Sequence, residues 1–488
     1  MASPNISVKI IDLCKVAPPP SSREYSFSLT FFDLLCLRVH PVERLFFFSV
    51  PHLQSSSFFH SIVPKLKRSL SLALQHFLPL AGNIVWPSDD SLKPIVQYSL
   101  GDAVSVAIAV SDSDMTNLID NSPRDAMQSR PFIPNLETRD SCASVLSLQI
   151  TLFPNSGFCI GMSSHHAGLD GKSSFLFIKA WAYLCRITEA HDAESESSSS
   201  GLLPPELQPL LDREVILDPR GLAVAYINGW SGFDPTGQTQ KNRPSLKILS
   251  NLFPPLVDDS ARAIFQLKRG DLNKIKERVL QNWEINHKLK EEREDSSSIS
   301  KPPTLSAFVL TTSYVHVCIA KAIERTENKR KKLLFCLVAD CRARLEPPIP
   351  ENYFGNCVMS HIIETQPDEE YGVVMVAKKI HRRITKIQKE KGVLDGAETL
   401  STRSVSRSGE GKEVQYIAVA GSNRFGAYET DFGWGRPEKV DIISGDRGIV
   451  MAMAESKAGD GGVEVGIVMK NHVMDQFASL VRSEIECI

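Results

Sequence analysis

A chain of 488 residues, 42% hydrophobic, with 55 Lys and Arg against 57 Asp and Glu, is too long for one ordinary core and predicts two domains. A formal charge of -2 offers no broad basic face for a nucleic acid, so any anionic ligand has to be held by local clusters of Lys and Arg. The most apolar stretch, Phe27 to Val50, is broken by Asp33, Arg38, Glu43 and Arg44, which excludes a membrane span there; residues 1–6 lack the basic and apolar run of a secretory signal. Ten cysteines without Cys-x-x-Cys pairs or zinc-like histidine spacing fit reduced thiols in the cytosol.

In chain order, Val8 to Val16 reads as a strand ended by Pro18-Pro19-Pro20, and Phe31 to Val50 as two strand-like runs around His40-Pro41-Val42-Glu43. Leu66, Leu70, Leu74 and Phe77 fall at helical spacing between Pro64 and Pro79. Leu146, Leu148, Ile150 and Leu152 alternate with smaller or polar residues, Pro154 to Gly157 turns, and Phe158 to Ser164 returns as a hairpin. Phe175, Ile178, Ala182 and Cys185 then mark a helix that opens at Gly171. Residues 191–245 begin with an acidic, Ser-rich run and read as a loop-like connection between domains at 1–190 and 246–488. Beyond it come a strand at 263–268, a helix at 270–281, a charged loop at 288–303 and a long apolar helix from Leu305, with Thr304 or Ser306 as its N-cap. A strand at 334–340, a helix at 368–389 and strands at 414–421, 448–454 and 463–469 complete the chain. Helices and strands mix in both halves, so each domain is predicted to be α/β with a mixed sheet.

The polar end of the hairpin is chemically distinctive. Phe158, Ile160, Met162, Ser164 and His166 share one strand parity, so an apolar face turns polar and leaves His166 at the mouth of a cavity. His165 has the opposite parity. Asp170 follows past Ala167 and Gly168, a spacing that by itself more often marks a hydrogen-bonded structural pair than a general base. Cys159, between Gly157 and Gly161, has the spacing of a nucleophile elbow but lies mid-strand, and no fourth metal ligand accompanies His165, His166 and Asp170.

The string His166-Ala-Gly-Leu-Asp170-Gly171 resembles the His-x-x-x-Asp-Gly motif of the plant BAHD acyltransferases, a motif with relatives in carnitine and chloramphenicol acetyltransferases. Asp431-Phe-Gly-Trp-Gly435, near the C-terminal end, is similar to the family's second signature. Tyr353-Phe-Gly-Asn-Cys357 resembles the motif of the branch that acylates anthocyanins and other phenolic glucosides, and Leu29-Thr-Phe-Phe-Asp33 and Phe77-Leu-Pro-Leu-Ala-Gly-Asn83 extend the likeness. Gly168 departs from it: a bulkier apolar residue is expected there, which implies looser packing beside His166.

The resemblance implies two chloramphenicol-acetyltransferase-like α/β domains, each a mixed sheet with flanking helices, and an active-site channel at their interface. His166 is then the general base, while Asp170 points away from the channel and forms a bidentate pair with Arg342 or Arg344. Asp431, Gly433, Trp434 and Gly435 form a structural loop near the coenzyme channel, with Asp431 also counted among catalytic candidates. Candidate contacts to coenzyme A are Arg44, Arg269, Lys274 and Lys276, with the helix N-terminus at Thr304 to Ser306. Ser422 and Asn423 are candidates for the oxyanion or acyl pocket, a structural turn being the alternative.

The implied reaction moves an acyl group, malonyl foremost, from coenzyme A to a sugar hydroxyl, the primary 6-position, of a flavonoid, anthocyanin or other phenolic glucoside. Hydroxycinnamoyl-CoA is the alternative donor. A malonyl donor calls for a cation near its free carboxylate and an aromatic one for an apolar slot. An inactive ligand-binding relative and a thioester hydrolase using the same histidine are the alternatives of other classes. The expected partners are the glucoside and the acyl-CoA co-substrate alone, with no permanently bound cofactor, metal, nucleic acid or membrane, acting on a cytosolic monomer.

Overall fold

The computed structural model describes residues 6–87, 93–188, 203–231, 245–249, 256, 259–283, 305–328, 331–365, 372–389, 392–400 and 414–486. Two mixed sheets dominate. The first has the order β1 (Val8–Val16), β6 (Val104–Ser111), β9 (Leu146–Phe153), β10 (Gly157–Ser164), β3 (Val42–Ser49) and β15 (Lys439–Ile442). β6 and β9 run parallel; the other pairs are antiparallel.

The second sheet runs β13 (Val358–Thr365), β12 (Lys332–Asp340), β14 (Val414–Gly421), β16 (Ile449–Glu455), β17 (Val463–Lys470), β11 (Ser260–Leu267) and β7 (Arg124–Asp125). β12, β14 and β16 are parallel. A small third sheet joins β2 (Tyr25–Ser28), β5 (Ile95–Tyr98), β4 (Asn83–Val85) and β8 (Cys142–Ser144).

β3 explains why the first sheet holds. Its Val-Glu-Arg-Leu-Phe-Phe-Phe run is buried along almost its whole length, and alternation sends Phe46 and Phe48 into the main core and Leu45 and Phe47 into a smaller one. The helices Val63–His76 and Gly171–Ile187 pack against each other within the first half of the chain. In the second half, Ala307–Glu327 packs between Gly372–Lys389 and Asn471–Glu486. Ala307–Glu327 is the one described helix long and apolar enough to cross a membrane, but 72% of its apolar window is buried inside the protein.

The halves exchange strands at their seam. β15 comes from the C-terminal half and pairs with β3, whereas β7 comes from the N-terminal half and pairs with β11. Buried charges follow the exchange: Asp441 on β15 takes Arg262 of β11 and Arg124 of β7, each at 3.0 Å, and Arg130 holds Glu43 of β3 at 2.6 Å. Such pairs fix one geometry more than they add net stability.

Three sequence expectations are corrected. Residues 31–35 form a helix, because Thr30 and Asp33 make a reciprocal capping box that the apolar pattern concealed. The loop-like connection contains the helix Leu222–Ser231, whose Trp230 indole donates to the Leu34 carbonyl at 2.6 Å. Gly168 does not leave loose packing, since a Cβ there would meet Val145 Cγ1 at 2.9 Å; the valine fills the space. The charged loop expected at 288–303 lies outside the described residues.

Candidate active site

β10 ends at Ser164, and the next two residues carry the imidazoles in opposite senses. His165 is buried, its Nδ1 accepts from the Ala167 amide at 3.2 Å, and burial pushes its pKa down to about 4. His166, half-buried as a residue with its Nδ1 buried and without a hydrogen-bond partner among the described residues, lines a cavity of about 1900 Å³. The walls come from both halves of the chain: His40, Val42 and Arg44 on one side, residues 337–340, 342–345, 418–425, 442 and 444–445 on the other. Burial lowers the pKa of His166, Asp170 opposes that shift and Arg44 adds to it. The ring therefore stays neutral, as a base must, to lower pH than a free imidazole.

Asp170 is turned inward. One carboxylate oxygen caps the Gly171–Ile187 helix by accepting from the Ser173 amide at 2.9 Å. The other accepts from the Cys357 amide at 3.1 Å and meets Arg342 Nη1 at 2.9 Å. Burial alone would raise this carboxyl, but Arg342 and the two amides hold it below its ordinary value. The pair is made through one guanidinium nitrogen, not two. Arg342 Nη2 is committed to the Tyr353 carbonyl at 3.0 Å and to the Gly355 carbonyl and Ser173 Oγ at 3.2 Å, which precludes the bidentate fork. Arg344 bonds the Asp340 carbonyl and lines the cavity instead.

The segment Tyr353 to Cys357 binds the histidine loop together. Asn356 Nδ2 donates to the His166 carbonyl at 2.8 Å and to Asp33 Oδ1 at 3.0 Å, while its amide donates to the same Asp33 oxygen at 3.1 Å. Arg213 donates to the Phe354 carbonyl at 2.5 Å and lies over the rings of Phe27 and Tyr353. Gly355 cannot be replaced freely, because a Cβ would fall 1.6 Å from Arg213 Nη1. The roles of Asp33, Asn356 and Arg213 were not read from the sequence. The available signal was a carboxylate and an amide set inside two otherwise apolar strings.

Other expected site residues separate sharply. Arg44, Ser306, Ser422 and Asn423 line the cavity; Ser306 also caps the Ala307–Glu327 helix, accepting from the Val309 amide at 3.3 Å. Thr304 lies outside the described residues. Arg269, Lys274 and Lys276 are exposed on the Arg269–Gln281 helix and take no part in the cavity wall. That helix buries Leu272, Ile275 and Val279, so its lysines are directed to solvent. Lys172, Lys179, Arg344 and Arg424 are the wall cations in their stead.

Residues 431–435 do not line the cavity wall. Asp431 accepts from the amides of Gly433 at 2.7 Å and Gly435 at 3.0 Å, closing a turn whose glycines have φ of 106° and 92°. Trp434 meets Phe158 edge-on, with the Lys65 ammonium 4.7 Å from its ring centroid, and Phe432 packs on Trp181. This turn fastens the C-terminal half to the start of β10.

A strand-end imidazole on a cavity between two mixed-sheet lobes fits a two-substrate transferase architecture. Vinorine synthase shares the fold, with a TM-score of 0.60 at 17% identity over 97% of this chain and 98% of that one. The Transferase family model matches residues 6–229 and 230–483, so the chain belongs to the BAHD transferase family of acyl-CoA-dependent acyltransferases. It is 38% identical to phenolic glucoside malonyltransferase 1 of Arabidopsis thaliana, over 98% of each chain. It is 36% identical to the malonyl-CoA:anthocyanidin 5-O-glucoside-6''-O-malonyltransferase of the same plant, over 98% of this chain and 99% of that one.

Proposed function

We propose that the protein transfers malonyl from malonyl-CoA to the primary 6-hydroxyl of the sugar in a phenolic or flavonoid glucoside, with His166 as general base. The observation that carries this reading is the place of the half-buried His166 on a cavity walled by both halves of the chain. With both substrates bound, His166 takes the hydroxyl proton as the oxygen attacks the thioester carbonyl. The tetrahedral intermediate then collapses, the carbon–sulfur bond breaks, and the imidazolium returns its proton to the departing thiolate. Positioned proton transfer of this kind contributes roughly 10²- to 10⁴-fold, and alignment of the two substrates supplies much of the remainder.

Asp170 shapes the loop and takes no proton, because its lone pairs are occupied by Arg342, Ser173 and Cys357. Lys172, Lys179, Arg344 and Arg424, with the helix N-terminus at Ser306, offer the positive charge that coenzyme phosphates require. Ser422 and Asn423, at the end of β14, face the growing oxyanion. Nine described cysteines are free thiols, which supports a cytosolic setting, and one chain supplies both walls, which supports a monomeric enzyme.

The test is to incubate the purified protein with malonyl-CoA and with hydroxycinnamoyl-CoA and a panel of phenolic glucosides, with mass detection. A gain of one malonyl group on the glucoside is expected. Aromatic acylation alone overturns the donor, and thioester consumption without an acceptor overturns the transferase reading.

A further inference from the structure

β3 carries a cation where its pattern calls for a hydrophobe. Val42, Arg44, Phe46 and Phe48 share one strand face, and Arg44 sits opposite Met162 of β10 and Ile442 of β15. Arg44 is only 3% exposed. Its Nη1 donates to Ser174 Oγ at 2.7 Å, its guanidinium lies 5.0 Å from the Phe175 ring centroid, and its Nε is buried without an acceptor.

No carboxylate among the described residues comes within ion-pair distance of it. Asp170, whose charge reaches it, is already taken by Arg342 at 2.9 Å. Three other buried arginines each meet a carboxylate: Arg262 has Asp441, Arg213 has Asp33 and Arg342 has Asp170. A buried cation without a counter-ion is costly, and the cost is relieved when an anion enters.

Its place says which anion. Arg44, His166, Gly171, Phe175, Ser422 and Phe425 all line the cavity, and the Phe175 ring lies 5.4 Å from that of Phe425 and 5.0 Å from the Arg44 guanidinium. A Cβ on Gly171 would stand 3.7 Å from Arg44 Nη2 and 3.0 Å from Phe425, so the glycine keeps the approach to the guanidinium open. The charge of Arg44 also acts directly on the His166 ring. Coenzyme phosphates lie at the far end of a long pantetheine arm from the thioester. The free carboxylate of a malonyl thioester, by contrast, is one methylene from the reacting carbonyl. Only the latter has to sit beside the base.

We infer that Arg44 is the receptor for the free carboxylate of a dicarboxylic acyl donor and selects malonyl over neutral acyl groups; this rests on the malonyl-transfer reading above. The guanidinium keeps its bond to Ser174 and offers Nε and Nη2 to the incoming carboxylate. A neutral acetyl group leaves those donors empty in a closed site, and a site built around such donors rejects a substrate that lacks the matching group.

The experiment compares kcat/KM for malonyl-CoA and acetyl-CoA, with one glucoside acceptor, in the wild type, Arg44→Gln and Arg44→Lys. The wild type is expected to prefer malonyl-CoA, and in Arg44→Gln the malonyl-to-acetyl ratio is expected to fall about 100-fold. Arg44→Lys, which keeps the charge, is expected to retain an intermediate preference and serves if the glutamine variant fails to fold. Equal losses for both donors would assign Arg44 to the coenzyme portion they share and overturn the inference, as would an unchanged ratio. A wild type that transfers no malonyl group overturns the parent reading itself, a result visible before any variant is measured.

Discussion

The side-chain amide of Asn356 donates to the backbone carbonyl of His166 at 2.8 Å, and the same nitrogen donates to Asp33 at 3.0 Å. One residue thus ties the loop bearing the imidazole to the first helix of the chain and to the turn before β13. Removing this amide leaves a buried carbonyl and a buried carboxylate short of a donor. Asn356→Ala is expected to lower kcat at least about tenfold and to lose roughly 1–3 kcal/mol of stability. Asn356→Asp, which sets a second carboxylate against Asp33, is expected to melt below Asn356→Ala. Thermal melts and steady-state kinetics of the two variants check both orders.

Asp170 serves geometry, so its replacement is expected to act on folding first. Asp170→Ala leaves the buried Arg342 with Asp340, at 3.1 Å, as its remaining carboxylate and removes a helix cap, with an expected loss of about 2–3 kcal/mol in denaturant titrations. An Asp170→Asn protein that melts like the wild type yet is inactive would contradict this and restore the carboxylate to proton transfer.

The pH dependence of kcat/KM follows from the surroundings of His166. The base works when neutral, and burial together with Arg44 lowers its pKa from 6.5. The acid limb of the rate profile is therefore expected below pH 6.5. Arg44→Gln removes a repelling cation, so the limb is expected to move to higher pH. A limb at or above 6.5 in the wild type speaks against the placement of the ring.

Acid stability is governed by other imidazoles. Burial holds His40 and His316 to about 3 and His165 and His361 to about 4, against an ordinary value of 6.5. An unfolded chain then binds protons more readily than the folded one in the interval between. Their contribution is intact above 6.5 and is lost as pH falls through that value toward 4 and 3. Asp441, held to about 2 by Arg262, Lys439 and Arg124 against burial, adds to the loss only below its ordinary 3.8. Urea midpoints are expected to drop between about pH 7 and about pH 5, a fall that the carboxyls of Glu43 and Glu464, raised by burial, oppose by taking up protons in the folded chain. Equal midpoints would contradict the burial of these rings.

Elements with a plain period were legible from the sequence. β1, the β9–β10 hairpin, the Gly171 helix and the β16–β17 hairpin have local alternation or helical spacing that tertiary packing does not override. Others were not. The helix Phe31–Leu35 is set by a cap rather than by periodicity, and β15 takes its place by pairing with a distant strand.

In the site, strand parity separated His166 from His165, since one covalent pattern fixes both. Which cations face the cavity was beyond reach. Lys274 and Lys276 are turned away by the packing of Leu272 and Ile275, and Arg44 occupies a core strand position that only the strand exchange makes part of a wall. Asn356 and His166 are far apart in sequence, and nothing local announces their bond.

The most direct measurement is the kcat of malonyl transfer by His166→Ala and by the wild type, with donor and glucoside both saturating and melting temperatures taken alongside. The expected result is a loss of roughly 10²- to 10⁴-fold at an unchanged melting temperature. A variant that melts like the wild type and keeps its kcat within about tenfold would show that another group takes the proton.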